Sequence, residues 1–294
     1  MKYALFMGCT IPARGRSYEM SVRAVARLCG LELVDLPEFS CCGFPVKSAN
    51  YDFSFMLAMR NLALAEQEKL DLMVLCSACT ASLTEAAHEL EHDPGLREEG
   101  NRRLKEVGLS YTGPVRIRHF ARVLYEEVGC ERIRGMVKRD LSSLTVAPHY
   151  GCHYLKPSAV YEGFDDPEAP RTLEALIAAT GARAVPLQNR KHCCGGGVLA
   201  ANADVAADLA GGKLSYLKER EKIDALCLSC PFCTVMYDDN QKKVEARVGK
   251  PLELPVLYYS QLLGLALGLD PNKELGLNMN KVKVAGVLQK IGAK

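Results

Sequence analysis

One cysteine pattern is written twice along this chain, and any fold proposed for it must accommodate both copies. First come Gly8-Cys9-Thr10, Cys41-Cys42-Gly43 and Cys76-Ser77-Ala78-Cys79; later come Gly151-Cys152-His153, Cys193-Cys194-Gly195 and Cys230-Pro231-Phe232-Cys233. Matched positions differ by 143, 152 and 154 residues, so one half is a copy of the other with a modest insertion. The insertion is expected at Glu162–Pro170, where Pro and Asp cluster. Self-similarity of this kind marks repeated structural units. A chain of 294 residues is long enough for two domains that each bury a core. The expected units are 1–140 and 141–294, with the boundary between Cys130 and Leu144, where Glu131–Asp140 is charged and linker-like.

Within each unit, short apolar runs alternate with helical patterns. The first unit is expected to form strands at Tyr3–Met7, Leu31–Leu36, Leu72–Leu75 and Val115–Arg118. Its helices are expected at Ser17–Cys29, Phe53–Lys69 and Phe120–Val128, with another beginning near Ala81. The second unit echoes this with strands at Leu144–Ala147, Ala184–Leu187, Ala225–Leu228 and Val256–Tyr259. Helices at Arg171–Thr180, Ala203–Glu219 and Gln261–Leu269 accompany them. Strand and helix in alternation predict an α/β fold of two tandem pseudo-symmetric repeats, each a small, mostly parallel sheet with flanking helices. The tail Asn272–Lys294 is small, polar and basic and its structure is left open, while its Leu275, Leu277 and Met279 are candidates to help dock a partner.

Cys9, Cys152 and both Cys-x-x-Cys pairs follow the carboxyl ends of expected strands. Open α/β sheets gather ligands at those ends, and the positive ends of helix dipoles there suit thiolates. Five cysteines of each unit can therefore meet at one rim of one sheet.

Thirteen cysteines, an odd number spread over a long chain, do not form the pattern of a small secreted disulfide scaffold. The segment Met1–Cys9 reads as a buried strand rather than a signal peptide, and Val256–Leu269 is too short to span a bilayer comfortably. The expectation is a reducing, cytoplasmic setting with no direct membrane span. A net charge of +2 with no basic stripe gives no case for nucleic acid as a partner.

Clustered thiolates under reducing conditions mean zinc or iron–sulfur, because sulfur is a soft ligand. Zinc is a four-coordinate ion, usually held by two Cys-x-x-Cys knuckles. Each unit here offers one such knuckle, a vicinal pair and a distant single cysteine. Adjacent cysteines reach two irons of a larger cluster more easily than one zinc, and the following Gly lets the backbone bend. Iron–sulfur is the leading reading, with zinc and a redox dithiol as rivals. Cys227 could also open a Cys-x-x-Cys with Cys230, but Cys79-Thr80 aligns with Cys233-Thr234 and selects Cys230 and Cys233. Cys227, Cys29 and Cys130 then read as small apolar core residues.

These ten cysteines, the opening Leu5-Phe6-Met7-Gly8-Cys9-Thr10 and the late run from Tyr258 to Gly268 are the residues that carry a resemblance. Over essentially its full length the chain resembles the Cys-Cys-Gly iron–sulfur family, in the branch formed by the B subunit of heterodisulfide reductase. The resemblance implies two [4Fe–4S] clusters of noncubane type. It assigns Cys9, Cys41, Cys42, Cys76 and Cys79 to one and Cys152, Cys193, Cys194, Cys230 and Cys233 to the other. It further implies that the clusters face each other across a cavity for a small disulfide, in the family the one joining coenzyme M and coenzyme B. The implied partners, in one multi-subunit complex, are a ferredoxin-like protein and a flavin-containing one. Two spacings depart from the family pattern: Cys42 to Cys76 is slightly short, and Cys152 to Cys193 slightly long.

Reducing a disulfide takes two electrons, and protons must follow. His153 beside Cys152 and His192 beside Cys193 are candidate catalytic proton donors, where the first unit has Thr10 and Ser40. His149 is a weaker candidate. Arg14, Arg16, Lys47, Lys156, Arg190 and Lys191 flank the cysteines and could hold an anionic substrate group. His88 and His92, at i, i+4 spacing but without a metalloprotease motif, read as an exposed helix face. No glycine follows Gly195-Gly196-Gly197 at dinucleotide spacing, so neither flavin nor nicotinamide has an evident site and electrons must come from another protein. The expected function is the catalytic component of a disulfide reductase, an oxidoreductase acting on sulfur. A non-catalytic electron-transfer component of a quinone- or flavin-linked oxidoreductase is the alternative, and a zinc-stabilised interaction protein a distant third.

Overall fold

The computed structural model describes residues 1–186 and 192–293. In the first half, β1 (Lys2–Phe6), β2 (Glu32–Val34), β3 (Asp71–Val74) and β4 (Ile117–His119) form a sheet ordered β2-β1-β3-β4. In the second, β5 (Thr145–His149), β6 (Arg183–Ala184), β7 (Ala225–Leu228) and β8 (Val256–Tyr258) repeat that order as β6-β5-β7-β8. Every pairing is parallel. The central strands are buried on both faces because helices cover both, as parallel sheets require. Register fixes the equivalence of the halves: Phe6 lies opposite Val74 as His149 lies opposite Leu228.

Around the first sheet run α1 (Thr10–Arg14), α2 (Arg16–Cys29), α3 (Tyr51–Gln67), α4 (Ser77–His92), α5 (Pro94–Leu104) and α6 (Phe120–Val123), the last continued by a π-helical turn at Leu124–Val128. Next come α7 (Cys130–Met136), α8 (Thr172–Ala179), α9 (Ala203–Tyr216) and α10 (Pro231–Thr234), which continues into a π-helical turn at Val235–Asp239. The chain closes with α11 (Gln241–Val248), α12 (Tyr259–Ala266) and α13 (Ala285–Lys290). α3 and α9 start alike: the Asn50 and Asn202 side chains accept hydrogen bonds from the Phe53 and Val205 N–H groups.

Four expectations need correction. The stretch Glu131–Asp140 is not a bare linker, since α7 occupies most of it and buries Ile133 while its charged residues face outward. α4 begins at Ser77, directly after Cys76, rather than near Ala81. The tail is folded onto the second half. Leu275 and Leu277 are buried, so they are not docking residues, and of the three only Met279 is exposed, at 41%. Leu275 packs so closely over Gly264 that a Cβ there would lie 2.2 Å from it. The Asp238 carboxylate accepts the Lys281 and Val282 N–H groups, which pins the tail further. The strand expected at Ala184–Leu187 is observed at Arg183–Ala184, and Leu187 lies outside the described residues.

The two halves share one core. Tyr18, Val22 and Val25 of α2 pack in the same apolar cluster as Leu262 and Leu263 of α12, and Ser21 hydrogen-bonds Ser260 at 2.7 Å. A second cluster, with Phe6, Met59, Leu62 and Leu83, lies within the first half alone. Cys29 and Cys227 are buried in the larger core and Cys130 is packed half-buried against it, as small apolar residues.

Candidate functional site

The cysteines stand where strands end and helices begin. Cys9, Cys76 and Cys230 are the N-cap residues of α1, α4 and α10. The glycines beside them are dictated by close approach. Gly43 (φ +88°) and Gly195 (φ +82°) are left-handed, and a Cβ would lie 2.4 Å from the Ser54 carbonyl oxygen and 2.5 Å from that of Ala206. The Cys-Cys loop is thus pressed onto the start of α3 or α9. Gly8 (φ +67°) lets the β1 end pass over Cys79, whose Sγ would be 2.8 Å from a Cβ.

Each set of five is continuous. Side-chain contacts link Cys9 to Cys41, Cys41 to Cys42, Cys42 to Cys79 and Cys79 to Cys76. The second set runs in the same order: Cys152, Cys193, Cys194, Cys233, Cys230. None of these thiols is in a disulfide. Cys42, Cys76, Cys79, Cys194, Cys230 and Cys233 form buried floors, whereas Cys9, Cys152 and Cys193 are exposed and Cys41 is half-buried, so both sets open to solvent. The second cysteine of each pair is the preferred thiolate. Hydrogen bonds from Cys41 and Cys79 pull Cys42 down to about 4, and those from Cys193 and Cys233 pull Cys194 down strongly.

The two floors meet. Cys76 and Cys230 are in side-chain contact across the boundary between the halves. The backbone there is held by residues that sequence reasoning passed over. Tyr18 donates its hydroxyl to the Ser229 carbonyl at 3.3 Å, and His119 Nε2 lies 3.2 Å from the same oxygen. Each half also lends the other an aromatic ring: Tyr18 stacks on Tyr258, and Tyr154 packs edge-on to His119.

His153 is half-buried at this seam, its ring edge-on to Phe44 of the opposite half with centroids 4.7 Å apart. His192 is exposed beside Cys193. His149, the weaker candidate, is the most deeply placed: its Nε2 is 3.2 Å from Cys233 Sγ and its Nδ1 is 2.9 Å from Lys213 Nζ. One nitrogen of His149 and the Cys194 and Cys233 sulfurs lie mutually within 4.8 Å. Burial, then the neighbouring Lys213, lowers the His149 pKa, and burial lowers that of Lys213 to about 8. Lys213 and nearby Tyr237 were missed by sequence reasoning. The signal was available in the repeat, which sets these ionisable groups against neutral residues of the first half.

Of the expected cations, Lys156 lies close enough to Cys152 to lower its thiol pKa against the larger effect of burial. Arg14 and Arg16 are exposed, Lys47 is paired with Glu85, and Lys156 is paired with Glu168 at 3.1 Å. Arg190 and Lys191 lie outside the described residues. His88 and His92 do lie on an exposed helix face.

Ten free, contiguous sulfur donors in two sets of five fit iron–sulfur chemistry. A tetrahedral zinc would leave one sulfur of each set unused.

The cysteine-rich domain model of the CCG family matches residues 3–84 and 146–238. The chain is 36% identical over 294 residues to the B subunit of the ferredoxin/F420H2-dependent CoB-CoM heterodisulfide reductase of Methanosarcina acetivorans, covering 99% of this chain and 97% of that one. It is 34% identical over 284 residues to the 8-methylmenaquinol:fumarate reductase membrane anchor subunit of Wolinella succinogenes, covering 96% and 97% of the two chains. Among solved structures, a hypothetical protein from Helicobacter pylori has the same fold, with a TM-score of 0.74 at 17% identity, over 96% of this chain and 52% of that one. Among the described residues, no helix is long and apolar enough to cross a membrane.

Proposed function

Because the chain belongs to the cysteine-rich domain (CCG) family, we propose that it is the catalytic iron–sulfur component of a heterodisulfide reductase complex. The substrate on this reading is the coenzyme M–coenzyme B heterodisulfide or a related small disulfide, which takes up two electrons and two protons and leaves as two thiols. Each unit, 1–140 and 141–294, would hold one [4Fe–4S] cluster of noncubane type through its five cysteines. Such clusters supply electrons one at a time, so a pair matches the two-electron demand of a disulfide. The observation that carries the reading is the doubling: two quintets linked sulfur to sulfur in one order, meeting at Cys76 and Cys230.

The chain's own residues would bind the substrate and move protons. The solvent-open rims at Cys9, Cys152 and Cys193 leave room for a small molecule to approach. His153 sits at the seam and can hand a proton from its ring to a departing sulfur; His192, exposed beside Cys193, can exchange protons with water. Electrons would come from a ferredoxin-like partner protein, itself supplied by a flavin-containing partner, in a cytoplasmic assembly.

The test is anaerobic purification with iron and sulfide analysis, followed by turnover of candidate disulfides with an artificial donor. The proposal expects about eight irons per chain, in line with two clusters of this type, and release of two thiols per disulfide. No thiol from any candidate disulfide, with the metal present, would remove catalysis. The Wolinella relative favours a second reading, an electron-transfer component linked to a quinol-dependent enzyme. On that reading the loaded chain passes electrons to a quinone analogue but leaves disulfides intact.

A further inference from the structure

The two quintets match sulfur for sulfur, but the side chains behind them do not. Sheet register equates Phe6 with His149, the Asn50 and Asn202 caps equate Asn61 with Lys213, and the last cysteine of each set equates Leu83 with Tyr237. All six residues are buried.

In the first half these positions present no polar hydrogen to a sulfur in any contact among the described residues. Phe6 rests edge-on against Phe39, with centroids 5.1 Å apart. The Asn61 amide donates to the Cys41 and Leu57 carbonyls and its oxygen accepts the Ser40 N–H, so it serves the backbone. Leu83 lies in the apolar core.

In the second half the same positions form a polar set against the sulfur floor. Lys213 Nζ lies 2.9 Å from His149 Nδ1. An ammonium can only donate, so Nδ1 accepts and the imidazole hydrogen sits on Nε2, 3.2 Å from Cys233 Sγ. The Tyr237 ring packs edge-on to His149 at 5.0 Å. Its hydroxyl is buried without a hydrogen-bond partner among the described residues, and burial, then the neighbouring Cys194 and Cys233, push its pKa well above the usual phenol value. A buried hydroxyl left without a partner is destabilising, and a group held by the loaded second site would satisfy it, as one in the first site would satisfy the equally orphaned Ser77 hydroxyl beside Cys76.

Donors to cluster sulfur and a nearby buried cation both favour the reduced, more negative state of an iron–sulfur centre. Low local polarity strengthens both effects. We infer that His149, Lys213 and Tyr237 polarise the pair, holding the second-half centre at a more positive reduction potential than the first. A single electron delivered by a low-potential protein donor then comes to rest beside Cys194 and Cys233. The inference rests on the reading that both quintets hold iron–sulfur centres.

The test uses the full-length chain in its complex, titrated anaerobically against potential with spectroscopic detection. Cys194→Ala identifies the second-half signal by deleting it. Three variants remove the polar groups: Tyr237→Phe deletes the hydroxyl, and Lys213→Asn and His149→Phe install the first-half residues. Each is expected to lower the second-half midpoint potential and leave the first-half midpoint in place, with iron and sulfide content retained. Tyr237→Phe removes only a hydroxyl and keeps the test sound should a larger change impair folding. Unmoved midpoints at full iron content, or equal shifts in both centres, overturn the inference. A wild-type chain without iron and sulfide overturns the underlying reading instead, so the two failures are told apart.

Discussion

Tyr18 of the first half and Tyr258 of the second lie face to face, with ring centroids 3.9 Å apart and planes 2° from parallel. Tyr18 also donates its hydroxyl to Ser229, the residue before Cys230. One side chain thus fixes the packing of the halves and the backbone that presents a sulfur. Removing the ring by Tyr18→Ala should cost about 3–5 kcal/mol, the range for large buried aromatics. Tyr18→Phe keeps the stack and loses one hydrogen bond, at about 1 kcal/mol. Urea unfolding of the two variants checks the ratio; equal losses would show that the stack contributes little.

The contact between Cys76 and Cys230 sets these two cysteines apart from the other eight. Cys194→Ala should eliminate the second cluster and turnover while the first cluster stays visible by spectroscopy. Iron should fall to about half of the wild-type content on the two-cluster reading. Cys230→Ala should also disturb the first cluster, because its partner Cys76 loses a neighbour. Iron analysis and low-temperature spectra of both variants decide this, and simultaneous loss of both clusters in Cys194→Ala would deny the halves any independence.

Gly43 and Gly195 should tolerate no side chain. Their positive φ makes alanine strained by about 1–3 kcal/mol, and the Cβ clashes with backbone at 2.4 and 2.5 Å add to it. Either alanine variant should lower the unfolding midpoint and shift the adjacent cysteine pair. A Gly135→Ala control in α7, where a Cβ meets nothing within 4 Å, should not lower the unfolding midpoint, since alanine favours a helix by about 0.5–1 kcal/mol, and should leave the cysteine pairs in place.

His119 should make stability depend on pH. Burial depresses its pKa to about 4, and both ring nitrogens are engaged when neutral: Nδ1 accepts from the Ala121 N–H, and Nε2 faces the Ser229 carbonyl. The folded value lies below the unfolded value of about 6.5, so the unfolded chain binds more protons between the two. Its contribution is fully present above about pH 6.5 and is lost as pH falls toward 4, by about 3 kcal/mol over the window. Unfolding free energies of wild type and His119→Gln at pH 7.5 and 5.5 should differ in slope; parallel behaviour would remove His119 as the cause.

The repeat alone made the two cysteine quintets, the doubled α/β architecture and most strands legible, because cysteine spacing and sheet periodicity are local properties of sequence. The core roles of Cys29 and Cys227 were legible because neither has a counterpart in the repeat. Local signals failed where distant segments meet. The charged run after Cys130 carries too few apolar residues to announce a helix, yet α7 forms by burying Ile133 against the core. The polar tail gains its structure from Asp238 and Gly264, far off in sequence.

What the sequence determined by itself is which ten sulfur donors recur in one order at matched spacing, since that pattern is written residue by residue. Only tertiary structure decided how the two quintets relate. The contact of Cys76 with Cys230, the rings exchanged across the seam, and the burial of His149, Lys213 and Tyr237 behind one quintet alone all depend on surfaces that exist only after both sheets pack together.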